Sequence, residues 1–262
     1  MPSRIFDRAD GQRVVGCMTR PSNDRRPWGS RSPGRSHSGW ALATLLLLFA
    51  AAAPLAAQEP TGWDLDGLAS ASPGDSLPPG WSTRIVGEAP PATARVARTD
   101  GEPVLRLEGD ASALQLYRVV DPTLDPSSGR LAWRWRVEGV VPGADLTDPE
   151  RDDAPMRVFV VFGEPGLMTP PRTLFYSWGG EAPESRAFLS HVSDRIGVVV
   201  LRAGEEMAGR WIAESRDLAA DFQGVFGEEP SESVTAVGIM IDTEQTGTSA
   251  ASELASLRWL PR

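Results

Sequence analysis

The 262-residue chain contains no lysine, and all 26 of its basic residues are arginine. Chemistry that begins with a lysine amine, such as Schiff-base formation, is therefore closed to it. Asparagine occurs once, at Asn23, so the chain beyond that point carries no N-glycosylation acceptor. We read the arginine bias and the near absence of asparagine as a GC-rich bacterial coding bias. Cysteine also occurs once, at Cys17, which excludes an intrachain disulfide framework. With His37 and His191 as the two histidines, zinc sites built on cysteine or several histidines are excluded by count.

Long apolar runs are equally scarce. The one such run is Trp40 to Gln58, WALATLLLLFAAAAPLAAQ, and it follows an arginine-rich, acid-poor segment. A charged region, an apolar core and a small-residue exit make up the layout of a secretory signal. Pro54 breaks the core before it reaches the about 20 apolar residues that a membrane span needs. Cleavage is expected after Ala57. Residues 1–39 are longer than the usual charged region, and a start at Met18 would shorten them. We therefore read residues 1–57 as a signal peptide, 58–80 as a connecting segment with a candidate first strand at Trp63–Leu68, and 81–262 as one domain. The expected location is the periplasm or the cell exterior. Residues 58–262 keep 18 arginines against 32 acids, a formal net charge of −14. That charge argues against nucleic acid and anionic membrane surfaces as partners. No cysteine stands at the cleavage site to carry a lipid, and no later apolar run is long enough to span a membrane. Stability has to come from a buried core, for which about 205 residues suffice.

Short apolar runs separated by turn residues recur from Trp81 onward. Leu131, Trp133, Trp135 and Val137 alternate with Ala132, Arg134 and Arg136, the period-two pattern of a strand with one buried face. Met156–Phe162, Thr173–Trp178, Ile196–Leu201 and Val234–Ile241 are apolar on both faces, as central strands are. Pro103–Glu108, Leu114–Val120 and Leu257–Leu260 complete the set. Asp217–Phe226 is the one helical segment, with Leu218, Phe222 and Val225 at helical spacing and Gly227 as its stop. These features predict an all-β, two-sheet antiparallel sandwich or jelly roll with one short helix.

Several segments carry a family resemblance: Leu131-Ala-Trp133-Arg-Trp135-Arg-Val137, Gly143-Ala-Asp145-Leu, Asp152-Asp153-Ala154 and Arg157-Val-Phe-Val-Val-Phe162. Further on come Tyr176-Ser-Trp178, Trp211 with Arg216-Asp217 and Asp221, Phe226-Gly227, Gly238-Ile-Met-Ile-Asp242-Thr243 and Thr246-Gly247. Over roughly residues 80–260 the chain resembles the exported bacterial family known as domain of unknown function 3047. The resemblance implies export and a sandwich similar to carbohydrate-binding modules. It implies no reaction and assigns no catalytic residue. The chain departs from the family's pattern at Glu244 and Gln245, where its side chains are longer.

Four groups of residues are candidates for chemistry. The acidic loop Ala144–Ala154 gathers Asp145, Asp148, Glu150, Asp152 and Asp153. Asp145, Asp152 and Asp153 are its candidate calcium ligands, against a solvated hairpin in which Asp152 or Asp153 pairs with Arg134 or Arg157. The turn Asp242-Thr-Glu244-Gln-Thr246-Gly247 offers a carboxylate and a hydroxyl at a strand end, against a turn that caps its own backbone. Among the aromatic residues Trp81, Trp133, Trp135, Tyr176, Trp178, Trp211 and Trp259, the pair Tyr176 and Trp178 stands beside Gly179-Gly180, where a groove would offer sugar rings a flat platform. Trp133 and Trp135 are expected in the core. His191, in Ser190-His191-Val-Ser193-Asp194, is expected as an exposed loop residue, because neighbours on a loop rarely converge as a catalytic triad.

The leading expectation is a non-catalytic module that binds a glycan or other polar envelope ligand through Tyr176, Trp178, Asp153, Asp242 and Thr246. One alternative is a saccharide hydrolase or lyase with Asp153 and Asp242 as its acids, since such chemistry needs two facing carboxylates. Another is a protein-interaction module that presents the arginine face of the Trp133 strand. No cofactor is expected beyond the calcium alternative.

Overall fold

The computed structural model describes residues 62–164, 170–180, 184 and 186–262, so the expected signal segment lies outside the described residues. Thirteen strands are described: β1 (Trp63–Asp64), β2 (Trp81–Arg84), β3 (Thr93–Thr99), β4 (Glu102–Asp110), β5 (Ala113–Leu124), β6 (Gly129–Val137), β7 (Ala154–Phe162), β8 (Arg172–Gly179), β9 (Ala187–Ser190), β10 (Ser193–Ala203), β11 (Ile212–Arg216), β12 (Val234–Asp242) and β13 (Ser249–Pro261). One α-helix, α1 (Leu218–Phe226), follows β11. One sheet has the order β11-β6-β13-β4-β3, with β1 paired to β13. The other has seven strands in the order β2-β5-β12-β7-β8-β10-β9. The fold is thus the expected two-sheet sandwich. One pairing departs from the antiparallel expectation: β10 lies parallel to β8, and the short β9 folds back on its outer edge.

The pattern read from β6 sets the packing. Leu131, Trp133, Trp135 and Val137 are buried, while Arg134 and Arg136 stand on the other side. From the facing sheet, Leu174, Tyr176 and Trp178 of β8 enter the same core. The rings interlock. Trp133 lies 5.7 Å from Trp135 edge-on and 5.3 Å from Tyr176, and Trp135 lies 5.6 Å from Trp178. Edge-to-face aromatic pairs at these separations add about 0.5–1.5 kcal/mol each to what burial contributes.

The central strands β7 and β12 are buried on both faces, as their unbroken apolar runs require. Met156, Val158, Val160 and Phe162 face the other sheet, and Phe159 belongs to a second apolar cluster on the far side with Phe175, Val198 and Met240. Helix α1 starts at Asp217, whose side chain accepts the Ala220 N–H at 3.2 Å, and ends at Gly227 in the left-handed conformation. Leu218 and Phe222 carry it onto the core, with Phe222 4.8 Å from Phe162.

The segment before Trp81 is more than a connection. The expected strand Trp63–Leu68 is cut short after Asp64, because the Asp64 carboxylate accepts the N–H groups of Asp66 and Gly67 and turns the chain. Leu65 and Leu68 are buried in the core. The buried Asp66 accepts the N–H groups of Leu68 and Leu257, and its carbonyl accepts the Trp81 indole N–H. Desolvation and the neighbouring Asp64 push the Asp66 carboxyl up to about 6.

Trp178 is fully buried between the sheets. Trp178→Ala is expected to cost about 3–5 kcal/mol in urea-induced unfolding. A loss below about 1 kcal/mol would contradict the packing role of the ring.

Candidate functional site

The aromatic platform expected at Tyr176 and Trp178 is not on the surface. Both side chains are fully buried, and each has its polar atom accounted for inside. The Tyr176 hydroxyl donates to Asp221 at 2.8 Å, and the Trp178 indole donates to the Gly204 carbonyl at 3.4 Å. Burial and the Asp221 charge hold the Tyr176 hydroxyl's pKa well above its ordinary value. Gly180 does not open a groove either. A Cβ there would stand 2.4 Å from the Ala144 carbonyl oxygen, so the glycine lets the acidic loop pack against the strand end. Trp133 and Trp135 are in the core, as expected.

Asp153, Asp242 and Thr246 do come together, but as a closed joint. Asp153 is fully buried. Its carboxylate accepts the Gln245 N–H at 3.3 Å, the Thr246 N–H at 2.8 Å and the Thr246 hydroxyl at 2.7 Å. The acidic loop is thereby clamped to the turn after β12. Asp242 is 3% exposed, alternating with core Ile239 and Ile241 on β12. Desolvation pushes its carboxyl up to about 7, Asp153 and Glu244 add to the rise, and Arg157 and the Glu244 N–H oppose it. Arg157 donates to the Asp152 carboxylate at 2.6 Å and carbonyl at 2.7 Å, and its guanidinium lies 5.8 Å from the Phe175 ring. The exposed His191 reaches Asp152 across 3.5 Å and shares no triad. Asp153 and Asp242, the expected acid pair, are both buried.

The three expected calcium ligands, Asp145, Asp152 and Asp153, are each hydrogen-bonded within the protein. Asp145 accepts the N–H and hydroxyl of Thr147, and Asp148 accepts the Glu150 N–H and pairs with Arg151. These bonds lower both carboxyls below their usual range. Among the described residues no three acidic, histidine or cysteine side chains stand together as a metal ion would need.

An open trough does exist, on the outer face of the seven-stranded sheet. Alternation sends Gln115 and Tyr117 of β5, Phe159 and Val161 of β7, and Thr173 of β8 to that face, opposite to core Leu116, Val158, Val160 and Leu174. They line a hollow of about 520 Å³, with Thr83 and Arg84 from β2 on one side and Glu164 on the other. A second hollow of about 230 Å³ shares Arg84, Gln115, Phe159, Val161 and Thr173 with the first and extends it to Phe175 and Ile196. Gly238 makes room on the floor: a Cβ there would stand 2.3 Å from the Phe159 ring and from the Leu116 carbonyl oxygen. Val119 joins the trough to a smaller hollow beside Trp63, which is 49% exposed.

Tyr117, Gln115, Phe159, Arg84 and Trp63 were not singled out by the sequence. Their signal was the alternation itself. In each of these strands the neighbours of the core residues face outward, and Tyr117 and Trp63 are the partly exposed aromatics that this leaves beside the trough.

The arginine face of β6 is occupied by its own sheet. Glu253, nearly buried, accepts Arg136 at 2.6 Å and Arg106 at 3.1 Å, Arg134 pairs with Glu102, and both Arg134 and Arg136 lie over the Trp211 ring.

The raised Asp242 carboxyl ties stability to pH. The folded state holds this proton more tightly than the unfolded chain, so the contribution is complete below about pH 4 and is lost as pH rises through about 7. Asp242→Asn should flatten the fall in unfolding free energy across that window by up to about 1.4 kcal/mol per pH unit. Chemical denaturation at pH 5, 6, 7 and 8 measures it, and an unchanged slope would contradict the buried, protonated state.

No curated protein matches the chain. Among solved structures it is similar to the family 11 carbohydrate-binding module of a Clostridium thermocellum cellulosomal cellulase, at 6% identity and TM-score 0.43, covering 78% of this chain and 96% of that one. It is also similar to a carbohydrate-binding module, CBM28, specific for non-crystalline cellulose, at 13% identity and TM-score 0.40, covering 77% and 96%. A third is TmCBM61, solved with β-1,4-galactotriose, at 9% identity and TM-score 0.37, covering 75% and 95%. The sequence profile of the family described as "protein of unknown function (DUF3047)" matches residues 79–258, which spans the sandwich from before β2 into β13, and the chain belongs to that family.

Proposed function

We propose that the protein is an exported, non-catalytic β-sandwich module that binds a glycan or a similar polar envelope ligand in the trough on its seven-stranded sheet. The observation that carries this reading is the trough's chemistry. An apolar floor of Phe159 and Val161 lies beside the half-buried Tyr117, with the Gln115 amide and the Thr83 and Thr173 hydroxyls around it. Concave, mostly apolar sites with a few polar groups are the usual form of ligand pockets. A sugar ring has the matching character, since its C–H face is apolar and its edge carries hydroxyls that both donate and accept. Arg84 and Glu164 bring one charge of each sign, which favours a neutral ligand. Trp63 offers a further ring where the trough continues past Val119.

Hydrolysis is the weaker reading. It needs two acids facing each other across a cleft, and neither Asp153 nor Asp242 lines the trough. Among the described residues no helix is long and apolar enough to cross a membrane.

A glycan array with wild type, Tyr117→Ala and Trp63→Ala tests the reading. Wild type should bind at least one neutral oligosaccharide, and Tyr117→Ala should weaken it about tenfold, or ~1.4 kcal/mol. Arg134→Ala, on the opposite sheet, should leave binding intact. An array with no wild-type signal would overturn the proposal. Export is tested separately by the intact mass of the protein in the periplasmic or extracellular fraction. The expected mature chain starts at Gln58, and a protein that keeps residues 1–57 inside the cell would refute export.

A further inference from the structure

A second pocket, of about 350 Å³, opens at the flank of the sandwich where β10, β11 and α1 meet. Its walls are unusual for their charge. Arg202, Glu214, Arg216, Asp221 and Glu184 line it together with apolar Leu201 and Val225. Four of these charges are paired before any ligand arrives. Arg202 donates to Glu214 at 2.9 Å, and the Arg216 Nε donates to Asp221 at 2.9 Å. The Asp221 pair raises the Arg216 guanidinium further.

Both acids have a structural task. Glu214 accepts the Trp135 indole at 3.3 Å and Asp221 accepts the Tyr176 hydroxyl at 2.8 Å, so they satisfy the polar tips of the core rings. That task leaves valences over. Among the described residues, Arg202 uses only its Nε, Arg216 uses Nε and one terminal nitrogen, and Glu214 uses one carboxylate oxygen. The remaining N–H donors and the remaining oxygen belong to residues that line one cavity, and the Glu214 side chain is 8% exposed.

Helix α1 adds an independent observation. Gly224 sits inside the helix and lines the pocket, and a Cβ there would meet nothing within 4 Å. Glycine in a helix interior costs about 1 kcal/mol relative to alanine. No close approach requires it here, and Gly224 is exposed where it borders the pocket.

We infer that this flank pocket is a second binding site, for a single neutral sugar or comparable small polyol. Guanidinium donors and carboxylate acceptors both line it, and each hydroxyl of a polyol is at once donor and acceptor. Arg202 and Arg216 are offset by Glu214 and Asp221, which leaves no excess positive charge for an anion, and the fifth charged residue of the lining, Glu184, accepts the Ala203 N–H at 3.3 Å. The site does not depend on the trough.

The test is titration of the mature protein by ligand-observed NMR and calorimetry. The probes are D-glucose, D-galactose, D-mannose and L-arabinose, with D-glucuronate and D-glucosamine as charged counterparts. At least one neutral sugar should bind. Gly224→Leu adds bulk at the helical edge of the pocket, where a Cβ meets nothing within 4 Å, and should weaken binding at least tenfold with no fall in melting temperature. Tyr117→Ala, in the trough, should leave this binding unchanged. The inference is overturned if none of the neutral sugars binds, if Gly224→Leu binds like wild type, or if a charged counterpart binds more tightly than the neutral sugars.

Discussion

The interlock of Trp133, Trp135, Tyr176 and Trp178 is the constraint on which the rest of the molecule depends. Two rings come from β6 and two from β8, so the contact joins the sheets directly. Each ring hides roughly 150–250 Å² from water, about 4–6 kcal/mol of transfer free energy as an upper estimate. A domain without disulfides has to hold its layers by packing of this kind. The rings also carry polar atoms into the core, and three of these leave in hydrogen bonds, to Glu214, Asp221 and the Gly204 carbonyl. Residues joined to those acceptors then have to be charged. Arg202 and Arg216 are there because an acid buried beside an indole or a phenol needs a counter-charge. The ion-paired flank is in this sense a consequence of the aromatic core.

The two outer faces follow different logic. On the six-stranded sheet, Glu253 is nearly buried among Arg106, Arg136 and the Thr99 hydroxyl, and the surrounding arginines are engaged with acids of the same sheet. The seven-stranded sheet instead buries a second apolar cluster around Phe159, Phe175 and Met240. That cluster needs cover. Leu146 from the acidic loop supplies it at one end, clamped down by Asp153 through the turn after β12. At the other end the cover stops, and the trough begins. The loop that carries Asp153 thus covers one end of this face and leaves the other open.

How much of this was legible in the sequence depends on what each strand faces. β6 alternates cleanly, so its buried side could be read at once. β7 and β12 are apolar throughout, which correctly marks them as central but hides which residues look inward. β8 has the same ambiguity, and it decided the fate of the expected site. Tyr176 and Trp178 were placed beside a groove, yet the outward residues of that strand are Phe175 and Ser177. Edge strands were the other gap. β3 buries Val96 and little else, while β9 and β11 bury no residue fully, so they lack the apolar run that marks a strand in sequence. Helix α1 was readable to its ends because both caps are local, Asp217 at the start and Gly227 at the stop. The clamp from Asp153 to Thr246 spans 93 positions, and a short-range pattern carries no trace of it.

The acids of the loops have a structural role. Several acidic residues in the described loops bind a backbone N–H or an arginine. Asp64 and Asp66 turn the entering segment, Asp145 and Asp148 shape the hairpin after β6, and Asp153 holds the turn after β12. Hydrogen bonds to a charged acceptor contribute about 1.5–3 kcal/mol, more than neutral ones. Arginine extends the scheme because its fork serves several acids at once. Arg106 reaches Glu108, Glu138 and Glu253 from a single side chain, which a lysine ammonium cannot do with comparable geometry. Carboxylates and guanidinium forks thus do the joining that disulfides do in many exported domains. A clustered set of acids in this chain is therefore first a fastening, and the candidate binding surfaces lie where the fastenings leave apolar floor or unused hydrogen-bonding valence.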